Sequence, residues 1–434
     1  MTVHRGVWRP DDRAESRYRY VPVDVPTGTR SLQVELAYDR SAGVLDLGVF
    51  DPAGGFRGYS GGAREAFVVG ETAATPGYLP GPLPAGTWRV LLGLHRVPAG
   101  GLAWTVATET ARSEPGGAAM QPGTAAPAGT AAPTRGSGAP GALHLPHGAA
   151  GARRRLPAPA GLRWLAGDLH AHTVHSDGTL TVPELAALAA DEGLDFLAVT
   201  DHNTVSHHAE LAGTAGIVLV PGQEVTTDRG HANAFGPLGW VDFRRPPDEW
   251  LSTVDAGGGL LSVNHPLGGD CAWLMPMAGR PPLAEVWHCG WWDRTWGAPL
   301  AWLLAWAAAS ATREAQPGGP RQPATVVPVG GSDFHSPAGS ERPGRPTTWV
   351  AVAEPSVAGV LDGLRAGRTA ISADPRAPVL LRLADRLVAV DADGALLVDP
   401  TGRRRPVHGD RAEFAGGAGP SWLEDGRAQI LAIT

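Results

Sequence analysis

The 434 residues carry 36 basic and 43 acidic side chains, a formal charge of −7, so no global field draws the chain to a nucleic-acid backbone or an anionic membrane surface. All 36 basic residues are arginine, which excludes a Schiff-base lysine, a phosphate-loop lysine and a lysine general base. Despite 59 glycines and 40 prolines, a 43% hydrophobic content can fill a core, and the length suits two to four units of roughly 100–200 residues each.

Residues 1–109 alternate short β-type runs with turns, at Leu32–Tyr38, Val44–Phe50, Phe67–Val69, Thr87–Leu94 and Ala103–Ala107. This predicts an all-β sandwich, and with no clustered histidines or carboxylates its expected role is accessory. Residues 110–155 collapse into Ala, Gly, Pro, Thr and Ser, with too little large apolar surface to offset ordering, so a flexible linker is expected. From 156 to 376 apolar strands alternate with helical stretches, the pattern of an α/β unit with a parallel sheet. Strands are expected at Trp164–Asp168, Phe196–Thr200, Ile217–Val220, Ala232–Phe235, Leu260–Val263, Leu283–Trp287 and Val326–Gly330. Helices are expected from Thr181 to Glu192, where Thr181-Val-Pro-Glu184 reads as a capping box, and at Asp248–Asp255, Pro299–Ala315 and Val357–Ala366. These strands fit a closed or nearly closed barrel, and residues 377–434 read as a small C-terminal β segment. Cys271 and Cys289 lack a pairing pattern, no charged-then-apolar leader opens the chain, and the apolar run Ala298–Ala311 is shorter than the ~20 residues a membrane helix needs. A cytoplasmic protein without membrane insertion is therefore expected.

The ionisable residues fall just beyond these strands. His170 and His172 follow the first in Gly167-Asp-Leu-His-Ala-His, with Asp177 in Ser176-Asp-Gly; His202 follows the second in Thr200-Asp-His-Asn; Glu224 follows the third in Gly222-Gln-Glu. His231 opens the fourth, His265 follows the fifth in Asn264-His-Pro, and Asp333 and His335 follow the last in Gly331-Ser-Asp-Phe-His. In a parallel barrel the strand C-terminal ends share one rim, and residues two apart on a strand end point the same way. Imidazoles and carboxylates in such number suit two or three divalent ions, with Mn, Zn and Fe as the candidates. Asp201, Asn203, Asn233 and Asn264 are candidate groups for orienting the ligands. His175, His207 and His208 read as bystanders, the last two on an exposed helix face. His288 reads with Trp287, Trp291 and Trp292 as a packed or substrate-facing wall.

Taken together these motifs resemble the polymerase-and-histidinol-phosphatase (PHP) superfamily, and the Gly230-His-Ala-Asn segment behind a β domain is similar to its carbaryl-hydrolase-like (CehA-type) branch. The resemblance covers about 167–374. It implies a distorted (β/α)7 PHP barrel with His170, His172, Glu224 and Asp333 on one ion, Asp177, His202 and His335 on a second, and Glu224, His231 and His265 on a third. The amidohydrolase superfamily also opens with His-x-His, but its members with a carbamylated lysine cannot apply to a chain without lysine.

Adjacent divalent ions activate water and stabilise in-line displacement, so hydrolysis is the expected reaction. The reading is a phosphoesterase with a metal-bridging hydroxide as nucleophile, with activity resting on Asp333 and His202. Arg342, Arg345 and Arg368 are the candidate phosphate readers, since a guanidinium fork matches phosphate oxygens. The expected substrate is a small-molecule phosphoester or ester, with a nucleotide or short oligonucleotide as a further candidate. A CehA-like carboxyl-ester or carbamate hydrolase, using Trp287–Trp296 as an aromatic wall, is the alternative. A non-catalytic metal-containing binding module is the alternative of another class.

Overall fold

A computed structural model describes residues 1–114, 154, 156–289, 300–301, 303–305 and 326–434. The expected linker beyond residue 114, most of the helix expected at Pro299–Ala315 and most of the tryptophan-rich stretch lie outside the described residues. The chain divides into two compact units: residues 1–114 with 173–179 and 201–209 form the first, and 154–172, 180–200 and 210–434 the second. No described helix is long and apolar enough to cross a membrane.

The first unit contains two four-stranded antiparallel sheets. One holds β1 (Thr2–Trp8), β3 (Ser31–Tyr38), β6 (Ala66–Gly70) and β8 (Leu102–Ala111) in the order β1-β8-β3-β6. The other holds β2 (Tyr18–Val25), β4 (Val44–Phe50), β5 (Phe56–Tyr59) and β7 (Gly86–Arg96) in the order β2-β7-β4-β5. The short helix α1 (Pro10–Glu15) lies between β1 and β2. Alternation makes the sandwich: Val21, Val23 and Val25 are buried while Tyr20, Pro22 and Asp24 are exposed, and β3 repeats this with Leu32, Val34 and Leu36 inside. These side chains join Leu45, Leu47, Trp88, Val90 and Val106 in one core. Each fully buried Val or Leu contributes roughly 1.5–3 kcal/mol of transfer free energy.

The second unit is mixed α/β. Its strands are β9 (Arg163–Asp168), β10 (Phe196–Val199), β11 (Val218–Thr227), β12 (Gly230–Phe235), β13 (Leu260–Val263), β14 (Leu283–His288), β15 (Val327–Gly331), β16 (Thr347–Val352) and β17 (Thr369–Ser372). They lie in the order β15-β14-β13-β12-β11-β10-β9-β16-β17. The pairs β9/β10, β10/β11, β13/β14 and β14/β15 are parallel, as expected. The expectation of a wholly parallel set is corrected at β12, which runs antiparallel to both β11 and β13. The reason is connection length: β11 ends at Thr227 and β12 begins at Gly230, and so short a link permits a hairpin but no parallel crossover. Beyond β17, the strand Ile430–Ile433 pairs with it at Ile371↔Ile433, so the C-terminal strands continue this sheet.

Helix α2 (Val182–Asp191) starts with the expected capping box: the Glu184 amide donates to Thr181 Oγ1 at 3.4 Å, and the Thr181 amide donates to Glu184 Oε2 at 2.9 Å. Its Val182, Leu185, Ala186 and Ala189 pack with Leu197, Val199 and Trp349 of the sheet. Three further helices are α3 (His208–Leu211), α4 (Pro247–Ala256) and α5 (Val357–Arg365).

Candidate metal centre

Strand β9 ends in Asp168, fully buried, and that carboxylate organises the turn after the strand. Its Oδ1 accepts from the His170 and Ser332 amides, each at 3.0 Å, and its Oδ2 from the Gly344 amide at 2.7 Å. The turn bearing His170 is thus tied to the segment leaving β15. The His172 amide donates to Phe334 O at 2.9 Å, a second tie between the two motifs that sequence spacing singled out.

Glu224 and Asp333 stand opposite these imidazoles. His170 Nε2 lies 3.2 Å from both Glu224 Oε1 and Asp333 Oδ1, and His172 Nε2 lies 2.9 Å from Asp333 Oδ1 and 3.6 Å from Glu224 Oε2. His231 Nδ1 and His265 Nε2 lie 3.1 and 3.4 Å from Glu224 Oε1. The reversed direction of β12 explains how His231 arrives: it stands at the start of its strand, level with Thr226 of β11, where the parallel strands present their ends. His335 stacks on His172 with ring centroids 4.2 Å apart. Seven of the nine sequence-predicted ligands therefore converge within the second unit.

The other two, Asp177 and His202, belong to the first unit, with His202 Nε2 3.6 Å from Asp177 Oδ1. Asp201 ties their two segments together. It accepts from the Thr173 amide at 2.8 Å and from the hydroxyls of Thr173 and Ser176, each at 2.6 Å. His207 Nδ1 sits 3.1 Å from the same carboxylate and is fully buried, which corrects its expected placement on an exposed helix face: it precedes α3 and turns inward to Asp201.

Glu285, which sequence reasoning missed, and His288, which it read as part of a packed or substrate-facing wall, complete the cluster. Glu285 Oε1 lies 3.1 Å from His170 Nδ1, and its Oε2 accepts from the His265 amide at 2.7 Å. The signal was available as a lone acid inside the apolar strand Leu283-Ala-Glu-Val-Trp287. His288 Nε2 lies 3.3 Å from Asp333 Oδ2. Of the two readings of the wall, packed or substrate-facing, Trp287 takes the packed one, buried with Leu300, Leu303, Val326 and Ile371. Asn264 was anticipated better, since its Nδ2 donates to Glu224 Oε1 at 2.8 Å, while Asn233 Nδ2 donates to Leu169 O at 3.1 Å.

The backbone bends to make this assembly. His265 and Asp333 hold φ values of 24° and 52°, the left-handed region that costs a residue with a side chain about 1–3 kcal/mol. Gly331 has no such choice, because a Cβ there would collide with Glu285 Oε1 and the His170 Cβ.

Burial disfavours charge on His170, His265, Glu285 and Asp333, and pairing opposes it. For His170 and His265 burial lowers proton affinity, but Glu224, Glu285 and Asp333 outweigh it and raise both. Burial works against the Asp333 and Glu285 carboxylates too, yet the imidazoles hold both below the usual carboxylate range.

The donor set fits divalent cations. His170 Nε2 is buried between two carboxylate oxygens without hydrogen-bond geometry to either, as an atom aimed at a shared cation would be. The sets His170, His172, Glu224 and Glu224, His231, His265 each bring nitrogen and oxygen donors within 4.8 Å of one another, the mixture that Zn, Mn and Fe accept.

The candidate phosphate readers make contacts elsewhere in the fold. Arg345 Nη2 donates to Glu192 Oε2 at 3.3 Å. Arg368 Nε donates to Ala351 O at 3.0 Å, and Ala351 pairs with Trp164 at the start of β9, opposite the end that carries the cluster. Arg342 donates to Gly339 O and Glu341 O at 2.9 and 2.7 Å.

No family model matches the chain. A 64-residue stretch is 41% identical to a 5'-3' exoribonuclease of Haemophilus influenzae, covering 14% of this chain and 23% of that protein. An alignment of 118 positions is 26% identical to an uncharacterised protein of Methanocaldococcus jannaschii, covering 24% of this chain and 69% of that one. Among solved structures, a two-domain Bacteroides vulgatus protein containing a predicted PHP-like metal-dependent phosphoesterase aligns with a TM-score of 0.38 at 19% identity, covering 65% of this chain and 91% of that chain.

Proposed function

We propose that the chain is a metal-dependent hydrolase of the PHP type, with a distorted seven-stranded barrel and small phosphoesters as its substrate class. The observation that carries this reading is the convergence of His170, His172, Glu224 and Asp333 with donor atoms at 2.9–3.6 Å. The stretch shared with the exoribonuclease supports a phosphoester over an acyl substrate.

His170, His172, Glu224 and Asp333 would hold one ion, Asp177, His202 and His335 a second, and Glu224, His231 and His265 a third. Such ions, when bound, activate water and neutralise charge on phosphoryl oxygens. The chain's own groups set the stage for that. Glu285 engages His170 Nδ1 and so fixes the ring with Nε2 toward the carboxylates, while Asn264 holds the Glu224 oxygen in place.

Turnover of a phosphomonoester, a phosphodiester and an aryl ester is to be measured with Mn²⁺ or Zn²⁺ added and again with a chelator. Chelator-sensitive cleavage of either phosphoester is the expected result. Aryl-ester cleavage alone would favour the CehA-like acyl hydrolase, and metal uptake without turnover on any substrate would favour a binding module.

A further inference from the structure

The sandwich was expected to be accessory, yet the segments bearing Asp177 and His202 fold as part of its unit. The bonds that hold them there are specific. The Gly77 amide donates to Ser206 Oγ at 3.0 Å, and Thr204 Oγ1 donates to Gly77 O at 2.9 Å, so one residue's main chain grips the 201–209 segment at two points. The Arg64 guanidinium, only 7% exposed, donates through Nη2 to Val174 O and so grips the 173–179 segment. His175 Nδ1, 2.7 Å from Ser206 Oγ, links the segments to each other, as does Asp201.

The gripping groups are themselves anchored in the sandwich. Gly77 O also accepts from the Tyr59 amide at 3.1 Å, and the next residue, Tyr78, donates to Leu47 O at 3.2 Å and stacks on Phe67 at 4.1 Å. The fit at Gly77 excludes any side chain, since its φ is +97° and a Cβ would lie 2.8 Å from His175 O and 3.0 Å from Tyr59 O. A buried guanidinium that donates to a main-chain carbonyl is costly to place and costly to remove, which suits a fixed support and does not suit a surface charge.

We propose that Arg64 and the Gly77 main chain are positioning groups, through which the sandwich sets the place of Asp177 and His202 for cation binding. The proposal rests on the ligand assignment above. It makes the N-terminal domain a determinant of one cation subsite, supplied by residues that carry no metal-binding chemistry of their own.

The test uses the full chain in two states. In the metal-free protein, amide hydrogen exchange is read over 173–179 and 201–209, with β3 and β7 as internal controls. Arg64→Ala and Thr204→Val should each speed exchange of these segments at least tenfold while β3 and β7 keep wild-type protection, and Arg64→Lys should recover part of the loss. In a Mn²⁺ titration the same variants should weaken the affected subsite by about 10–100-fold, the scale of outer-sphere changes. Unchanged segment exchange, or faster exchange with unchanged Mn²⁺ affinity in both variants, overturns the positioning role. An Asp177→Asn variant separates the two claims. Weaker Mn²⁺ binding in Asp177→Asn with none in Arg64→Ala or Thr204→Val overturns the sandwich's role and leaves the ligand assignment standing. Weaker binding in the positioning variants with none in Asp177→Asn upholds the support and removes Asp177 from the ligand set.

Discussion

In the sandwich, strand after strand turns Val and Leu inward and polar groups outward, so its interior is a sequence pattern made solid. In the α/β unit the strands do the same with Leu165, Phe196, Val220 and Leu283, but His170, His172 and His265 beyond strand ends are buried together with Glu224 and Glu285 within strands. The difference teaches where stability and chemistry separate. An apolar core gains from every residue buried, whereas a buried ionisable cluster is tolerated only because its members satisfy one another. The apolar core of the sandwich should thus respond to mutation through folding and the ionisable cluster through binding and catalysis.

The sharpest break of that contrast is Asp333→Ala or His202→Ala, each expected to lower metal-dependent turnover by more than about 100-fold, beyond the scale of outer-sphere changes. Thermal unfolding measured alongside should show both variants folded, and near-wild-type rates in either would remove it from the site. Trp88→Ala inverts the pattern. This fully buried sandwich side chain should cost about 3–5 kcal/mol in denaturant unfolding. Glu285→Gln keeps the shape but weakens the partner of His170, and should lower metal affinity by about 10–100-fold in a calorimetric titration without changing the fold. Metal removal should lower unfolding stability by about 2.7 kcal/mol at an ion concentration 100-fold above the dissociation constant, read as a drop in melting temperature on chelation. The smallest effect should come from Arg345→Ala, whose exposed pair with Glu192 is worth about 0–1 kcal/mol and whose loss should leave turnover within twofold.

Much of the site was legible because its motifs are short and local. His-x-His, Thr-Asp-His and Asp-Phe-His each place a donor beside a strand end, and the strand ends were readable from apolar runs bounded by turns. Glu285 was missed because an acid inside an apolar strand carries no motif, and only the facing His170 gives it meaning. The contacts of the arginines were not legible for the complementary reason: nearness in sequence to Asp333 says nothing about the direction of a long side chain, and Arg345 reaches Glu192. Asp201 was singled out as an orienting group, yet what it binds, Thr173 and Ser176, required the fold.

Sequence by itself determined the absence of lysine chemistry, the alternation that builds the sandwich, the approximate positions of β9 to β15 and of α2, α4 and α5, and the residue types able to hold cations. These arise from periodicity and composition, which act over a few residues. Tertiary structure alone decided that Glu285 stands behind His170, and that the segments carrying Asp177 and His202 fold with the sandwich. Such choices depend on which distant strands become neighbours, and no local pattern encodes a contact between residues a hundred positions apart.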